Sequence, residues 1–459
     1  MAESASADAS AGVLPVAFRT LGCKVNRAES EAIAAELLAV GVRIAEEDDA
    51  AIVVVNTCTV TGEADAKARK AVRQALAAAS RPLVVVTGCL AALDRGALEA
   101  LGERVVVEAD KACIAGIVAG LLGVKGVAAD ANGESAAAQR SVAASLGRVP
   151  APRGREAGPA RAESGAFRTR VALKVEDGCD ALCAYCIVPY ARGVPRSTSL
   201  AQVRAEAEAL VEAGTREIVL TGINIGRYAD GEARLADVIA AVAATGVSRI
   251  RLSSIEPLDL TPELLSVMAE TPAFCAHLHV PLQSGSDPVL SAMGRTYTAE
   301  QFAERIGAAR GALPGLVVTT DVLAGFPGET ARQATETLTF CEQTGLGKLH
   351  VFRYSRRPGT RAADRVDQIA DAEKAVRAAA LRDLSSRLAR AHAVARRGTT
   401  AEVLVERVST TRNGTPVAEG TTRDYLRVRF GAEAARPGEL RFVRLLSVEG
   451  ERVVGEWLK

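Results

Sequence analysis

The chain has 459 residues, 48% of them hydrophobic, which is enough for two to four domains with substantial cores. No apolar run approaches the roughly 20 residues that a membrane span needs, and a net charge of +1 excludes a global pull toward nucleic acid, so any RNA site has to be a local patch. Nine cysteines in so long a chain fit reduced thiols better than a disulfide framework. The start, Met1 to Ala11, has neither a basic nor an apolar segment, so a cytoplasmic protein without a signal peptide is expected.

Residues 14–122 read as a first domain. Val16 to Leu21 is a strand running into Gly22-Cys23-Lys24-Val25-Asn26, and Ala28 to Leu38 reads as a helix. The pattern repeats. The run Ala51 to Val55 has the continuous β-branched character of a buried parallel strand and ends in Asn56-Thr57-Cys58, and Leu83 to Val86 ends in Thr87-Gly88-Cys89. A fourth strand, Val105 to Val107, has no cysteine at its end. Alternating strands and helices argue for an α/β domain on an open parallel sheet, whose ligands bind beyond the carboxyl ends of the strands. Cys23, Cys58 and Cys89 then converge on one edge. A lone buried cysteine is ordinarily an inert core residue, but three at the ends of three strands point to a bound cluster with three protein ligands.

Residues 123–168 turn to Ala, Ser, Gly, Pro and Arg and read as a flexible linker, with Arg153, Arg155, Arg161, Arg168 and the adjoining Arg170 solvated. From 169 to 397 six strands alternate with amphipathic helices: Val171 to Val175, Glu217 to Leu220, Arg249 to Ser253, His277 to Leu282, Leu316 to Val322 and Lys348 to Tyr354. That count suits a partial α/β barrel of six strands, whose reactive residues lie at the C-terminal strand ends. The first of those ends carries Cys179, Cys183 and Cys186. Thiolates this close can pair as a disulfide, hold zinc or hold iron-sulfur. A structural zinc site usually wants four ligands and no His follows here, whereas a cubane on three cysteines leaves one iron open. The next strand ends carry Gly222, then Ser254 and Glu256, then Gln283, then Gly325. His277 and His279 share a strand face, where packing or hydrogen bonding is expected of them rather than metal ligation. Cys113, Cys275 and Cys341 are expected to be core thiols.

Asp371 to Arg396 is helical in pattern, with Arg382, Arg387, Arg390, Arg396 and Arg397 forming a basic stripe. Over 398–459 four short strands, Ala401 to Glu406, Tyr425 to Phe430, Leu440 to Leu446 and Arg452 to Gly455, suggest a small antiparallel β-barrel.

The Cys-x-x-x-Cys-x-x-Cys spacing of Cys179, Cys183 and Cys186 resembles that of radical S-adenosylmethionine enzymes, and the chain as a whole resembles the methylthiotransferase family. Leu21-Gly22-Cys23-Lys24-Val25-Asn26, Leu349-His350-Val351-Phe352 and Tyr354-Ser355 resemble the branch that modifies threonylcarbamoyladenosine in tRNA. Arg353, where that branch often has proline, and the long linker depart from it. The resemblance implies two 4Fe-4S clusters. Cys179, Cys183 and Cys186 would hold the one whose open iron binds S-adenosylmethionine, and Cys23, Cys58 and Cys89 the one that carries sulfur. It further implies methylthiolation of C2 of the adenine at position 37 of tRNA and a TRAM-like RNA-binding domain over 398–459. The implied partners are tRNA and an electron donor such as flavodoxin or ferredoxin, with the sulfur source left open, and a monomer with no membrane association is expected. Gly222, Ser254, Glu256, Gln283 and Gly325 are candidates for contacts to S-adenosylmethionine by location. The alternatives are the isopentenyladenosine branch, the branch that modifies an aspartate of a ribosomal protein, and a non-enzymatic iron-sulfur or zinc RNA-binding protein.

Overall fold

The computed structural model describes residues 14–124, 169–411 and 413–458. The linker expected over 123–168 lies outside the described residues except for Gly123 and Val124. Backbone proximity divides the chain into two units. The first contains the described residues 14–124 together with Tyr190–Arg192, and the second contains 169–189 and 193–458.

In the first unit, β1 (Val16–Thr20), β2 (Ile52–Thr57), β3 (Leu83–Gly88) and β4 (Val105–Val107) form a parallel sheet in that order. The Val-rich runs are buried on both faces, as parallel strands require. Val53, Val55, Val84 and Val86 pack with Ala68, Val72 and Ala75 of the helix Gly62–Leu76. Val16, Ile52, Val54 and Val85 pack on the other side with Ile33 and Leu37 of the helix Lys24–Ala39 and with Ile114 and Val118 of the helix Ile114–Leu121. Thr61 caps the helix Gly62–Leu76 by accepting the Ala64 N–H at 3.1 Å, and Glu63 and Asp65 sit in its first turn, where the helix dipole favours acidic groups.

A feature absent from the strand pattern decides where this unit binds. Ile44 pairs with Val16 in a parallel bridge, so a short extended segment lies alongside β1 in addition to β2. The chain therefore winds outward from β1 to Ile44, then returns and winds the other way from β2 to β4. Such a reversal opens a crevice at the carboxyl ends of the two strands where it occurs. Those ends lead into Cys23 and Cys58.

In the second unit, β5 (Arg170–Lys174), β8 (Glu217–Thr221) and β9 (Arg249–Leu252) form one parallel sheet. The strands β10 (His277–His279), β11 (Val317–Ala324) and β12 (Lys348–Arg353) form another, and a parallel bridge between Ser254 and His279 links the two. The first core cluster of the unit runs through all six strands, from Leu173 to Leu349. Between β5 and β8, the short antiparallel pair β6 (Glu176–Asp177) and β7 (Arg196–Ser197) closes the base of the cysteine loop. Arg170 is not solvated as expected: it opens β5, its side chain is 15% exposed, and it pairs with Glu406 at 3.1 Å.

The last part of the unit departs from expectation in two ways. Five strands, β13 (Thr400–Thr410), β14 (Pro416–Thr422), β15 (Arg427–Gly431), β16 (Leu440–Glu449) and β17 (Arg452–Trp457), close into a barrel in the order β13-β14-β15-β17-β16. The strand β14 was not expected, because it opens on Pro416, contains Gly420 and lacks a run of large apolar residues. Nor is the barrel wholly antiparallel, since β15 and β17 pair in parallel.

At the N-terminal ends of β8 and β9 lies a fully buried charge cluster. Glu217 accepts from Arg251 Nε at 2.8 Å and pairs with Arg249 at 2.8 Å, and all three side chains are at most 1% exposed. The arginines then donate to carbonyls around the end of β14, Arg249 to Thr421 at 3.1 Å and Arg251 to Thr422 at 2.6 Å and Arg423 at 2.8 Å. His277 stacks on Tyr425 at 4.4 Å between ring centroids, and Arg251 lies over the same ring. The packing role expected of His277 is thus met, and His279 hydrogen-bonds to Thr319 at 3.0 Å.

Candidate metal centres and active site

The first trio sits at the crevice of the first unit. Cys23 is the residue that precedes the helix Lys24–Ala39. Cys58 follows β2 and Cys89 follows β3, and Cys58 lies within electrostatic reach of both other thiols. Gly22, at φ +94°, makes this possible: a Cβ there would stand 2.5 Å from Cys58 Cβ and 2.8 Å from its sulfur. Asn26 ties the loops together by donating to Leu21 O at 2.9 Å and Thr57 O at 2.8 Å, while Thr57 Oγ1 donates to Thr87 O at 2.6 Å.

Burial pushes the Cys58 thiol up to about 11, with the Cys23 and Cys89 charges adding to it against donation from the Val60 and Thr59 backbone. Burial also raises Cys89, although the charges of Arg192 and Lys111 oppose this. A bound metal replaces the protons of such thiols.

Arg192 was not singled out in the sequence. It is 7% exposed and donates from Nε to Cys89 Sγ at 3.3 Å, from Nη1 to Glu29 Oε1 at 2.8 Å and from Nη2 to Asn26 Oδ1 at 2.6 Å. Lys111 pairs with the other Glu29 oxygen at 3.0 Å. Cys113 is half-buried rather than a core thiol, and its sulfur lies 3.7 Å from Asp110 Oδ2, whereas Cys275 and Cys341 are fully buried as expected.

In the second unit, the loop carrying Cys179, Cys183 and Cys186 is held at several points. The Cys179 N–H donates to Gly193 O at 3.0 Å, the Ala184 N–H to Met293 O at 2.7 Å, the Ala362 N–H to Ala184 O at 2.8 Å and Arg361 to Leu182 O at 2.7 Å. Gly178 has φ +91°, and a Cβ on it would come within 2.1 Å of Val194 O. The three thiols are half-buried and free of disulfides. Cys186 is pushed up to about 12, first by burial and then by Cys183 and Cys179.

Two further side chains reach these sulfurs. Arg295 Nη1 donates to Cys183 Sγ at 3.3 Å and its Nη2 pairs with Glu256, while Asn224 Nδ2 points at Cys179 Sγ from 4.0 Å. Asn224 Oδ1 is buried without a hydrogen-bond partner. Each trio fits a three-thiolate cluster in donor chemistry. Among the described residues no three His, Cys, Asp or Glu side chains stand close enough to share a single ion, and a cubane asks for wider spacing because each thiolate binds a different iron.

Of the five strand-end candidates, Glu256 is joined to the second trio through Arg295, and burial raises its carboxyl against the Arg295 charge. Gly222 is where the Glu176 carboxylate packs, 2.7 Å from a Cβ position, and Glu176 in turn accepts the Asn224 N–H at 2.8 Å. Ser254 forms the bridge to His279. Gln283 holds φ +70° beside β11, donating its N–H to Asp321 O at 2.8 Å. The Gly325 N–H donates to Glu329 at 2.9 Å, and Glu329 pairs with Arg377 at 2.6 Å.

Comparison with known proteins gives this chemistry a class. Residues 173–341 match the Radical SAM superfamily, and residues 15–108 match the uncharacterized protein family UPF0004. The fold is similar to that of the radical S-adenosylmethionine methyltransferase TsrM from Kitasatospora setae, with a TM-score of 0.53 and 16% identity over 77% of each chain. The protein is thus a radical S-adenosylmethionine enzyme, a class that works with a 4Fe-4S cluster and S-adenosylmethionine.

The chain is 36% identical to the threonylcarbamoyladenosine tRNA methylthiotransferase MtaB of Bacillus subtilis (strain 168), over 94% of this chain and 93% of that one. It is 33% identical to MtaB of Chlamydia pneumoniae, over 95% and 96%. To the tRNA-2-methylthio-N(6)-dimethylallyladenosine synthase of Pelobacter propionicus it is 34% identical, over 96% and 98%. It belongs to the radical S-adenosylmethionine methylthiotransferase family, on the MtaB branch.

Proposed function

We propose that this enzyme methylthiolates C2 of N6-threonylcarbamoyladenosine at position 37 of tRNA. The observation that carries the substrate is the near full-length similarity to proteins named for that reaction. In this reading Cys179, Cys183 and Cys186 hold the radical-generating cluster and Cys23, Cys58 and Cys89 hold a second, sulfur-bearing one. When bound, these groups supply an electron to S-adenosylmethionine and a sulfur atom, the radical chemistry needed because no side-chain base can remove an unactivated adenine C–H proton.

The chain's own residues supply the rest. Arg295 places a cation on Cys183, and Glu256 holds that cation in place. Asn224 offers a donor to Cys179 and a free acceptor to a ligand. Gly222, Ser254, Gln283 and Gly325 line the same strand ends and complete the S-adenosylmethionine site. The domains follow as a cluster-binding domain over 14–122, a linker over 123–168, a six-strand partial barrel over 169–397 and a TRAM-like RNA-binding barrel over 398–459. The enzyme works as a cytoplasmic monomer fed by a flavodoxin or ferredoxin; among the described residues no helix is long and apolar enough to cross a membrane.

The test is mass spectrometry of tRNA nucleosides from a strain lacking this protein. Loss of the 2-methylthio form of threonylcarbamoyladenosine, restored by the gene, supports the assignment. Loss of the isopentenyladenosine form instead assigns the other branch, for which the similarity to the Pelobacter propionicus protein speaks. Unchanged tRNA defeats both.

A further inference from the structure

We infer that Arg192 is a positioning residue for the first cysteine trio: its guanidinium joins the three cysteine-bearing loops and sets the electronic state of a cluster held by Cys23, Cys58 and Cys89. This rests on the reading that the trio binds a cluster.

The argument starts from the donor geometry. A guanidinium presents its N–H groups in a rigid fork, and here the fork reaches Cys89 Sγ, the Glu29 carboxylate and the Asn26 side-chain carbonyl at once. Asn26 is itself bonded to the loop before Cys23 and the loop before Cys58 through Leu21 O and Thr57 O. The Cys23 sulfur also lies 3.7 Å from Asn26 Oδ1. One arginine thus connects with all three cysteine loops, directly to Cys89 and through Asn26 to the other two.

Charge is the second element. Burying a guanidinium demands a partner, and Glu29, 5% exposed, provides it. Glu29 is shared with Lys111, so two cations face one carboxylate beside Cys89. A cluster on three thiolates is anionic. Hydrogen bonds to its sulfurs and nearby positive charge both stabilise the reduced form and raise its potential.

The test uses the full chain carrying Cys179→Ala, Cys183→Ala and Cys186→Ala, so that iron bound to it reports on the first trio. In this background Arg192→Gln is compared with Arg192 for iron retention against a chelator, for midpoint potential and for the EPR signal of the reduced cluster. Expected are a loss of iron affinity of roughly 10–100-fold, a lower potential and an altered EPR signal. Arg192→Lys, which keeps the charge but not the fork, is expected to recover part of the potential while iron retention stays low. If Arg192→Gln fails to fold, Glu29→Gln/Lys111→Gln/Arg192→Gln, which removes both cations and the carboxylate between them, carries the same comparison. Unchanged potential, signal and iron retention in a folded variant overturn the role of Arg192. A background protein that holds no iron with Arg192 intact overturns the cluster reading itself, and this inference with it.

Discussion

Arg295 donates to the Cys183 sulfur across 3.3 Å while its other Nη nitrogen is paired with the Glu256 carboxylate. The guanidinium is 5% exposed and also donates from Nε to Tyr297 at 3.1 Å, so its position is fixed by three partners. It therefore serves Cys183 as a stationary donor. Arg295→Ala is expected to weaken iron binding at the second trio by roughly 10–100-fold, the usual effect of deleting a partner behind a metal ligand. On the proposed two-cluster reading, iron titration against a chelator, with the first trio intact, should show one class of iron lost early and the other retained. Uniform retention of all iron contradicts this.

Gly178 carries a steric demand that can be tested directly. With φ +91° and a hypothetical Cβ 2.1 Å from the backbone oxygen of Val194, alanine there must displace the base of the cysteine loop. On the proposed two-cluster reading, Gly178→Ala is expected to lose the iron of the second trio, about half the total, while the first trio keeps its own. Iron-to-protein ratios of the reconstituted protein decide the matter, and a full complement of iron would show that the loop tolerates the shift.

The buried Glu217 carboxylate is the counter-charge that Arg249 and Arg251 share. Glu217→Gln leaves two guanidinium groups without a counter-charge in the interior and is expected to cost about 3–5 kcal/mol. Urea unfolding at neutral pH should show the midpoint falling. A variant as stable as the parent would mean that water reaches the arginines.

Asp424 gives a pH signature. Burial by itself raises its carboxyl, but contacts with His392 and Thr422 and the charge of Arg396 more than reverse this and hold it well below the usual carboxylate range. The unfolded chain then takes up the proton more readily than the folded one. The stabilisation is therefore complete above the unfolded value, about pH 4, and is lost as pH falls further toward the folded value. Asp424→Asn is expected to cost about 2–4 kcal/mol at pH 7, toward the low end because Arg396 keeps 33% of its side chain exposed. Urea midpoints of parent and variant should differ at pH 5 and converge below about pH 4. A difference that persists unchanged in acid assigns the effect to packing instead.

Much of the candidate site was legible because its signals are local. Three cysteines within one loop, and three more each at the end of an apolar run, need only the period of a strand to be placed. The residues that act on those thiols were not legible. Arg192 lies 163 positions from Glu29 and Arg295 lies 112 from Cys183, distances at which no pattern of spacing survives. Neither arginine carries a local mark that separates it from solvated surface charge until the fold buries it. The winding reversal was hidden for a related reason: it depends on the single pairing of Ile44 with Val16, too short to register as a strand. The strand Pro416–Thr422 is held by barrel closure, which overrides a composition that reads as a turn.

The carbonyls of Thr421, Thr422 and Arg423 are the acceptors on which Arg249 and Arg251 rest. The C-terminal barrel is therefore no detachable module. A gene shortened before it would encode a half with two arginines and a glutamate stripped of their cover, so the stability of that half would fall with the loss of the barrel. Shuffling this barrel onto another enzyme, or replacing it with a different fold, requires rewriting Glu217, Arg249 and Arg251 at the same time. That ties the inheritance of the C-terminal segment to the arginines that lie 171 and 172 residues upstream of its carbonyls, and to the glutamate they share.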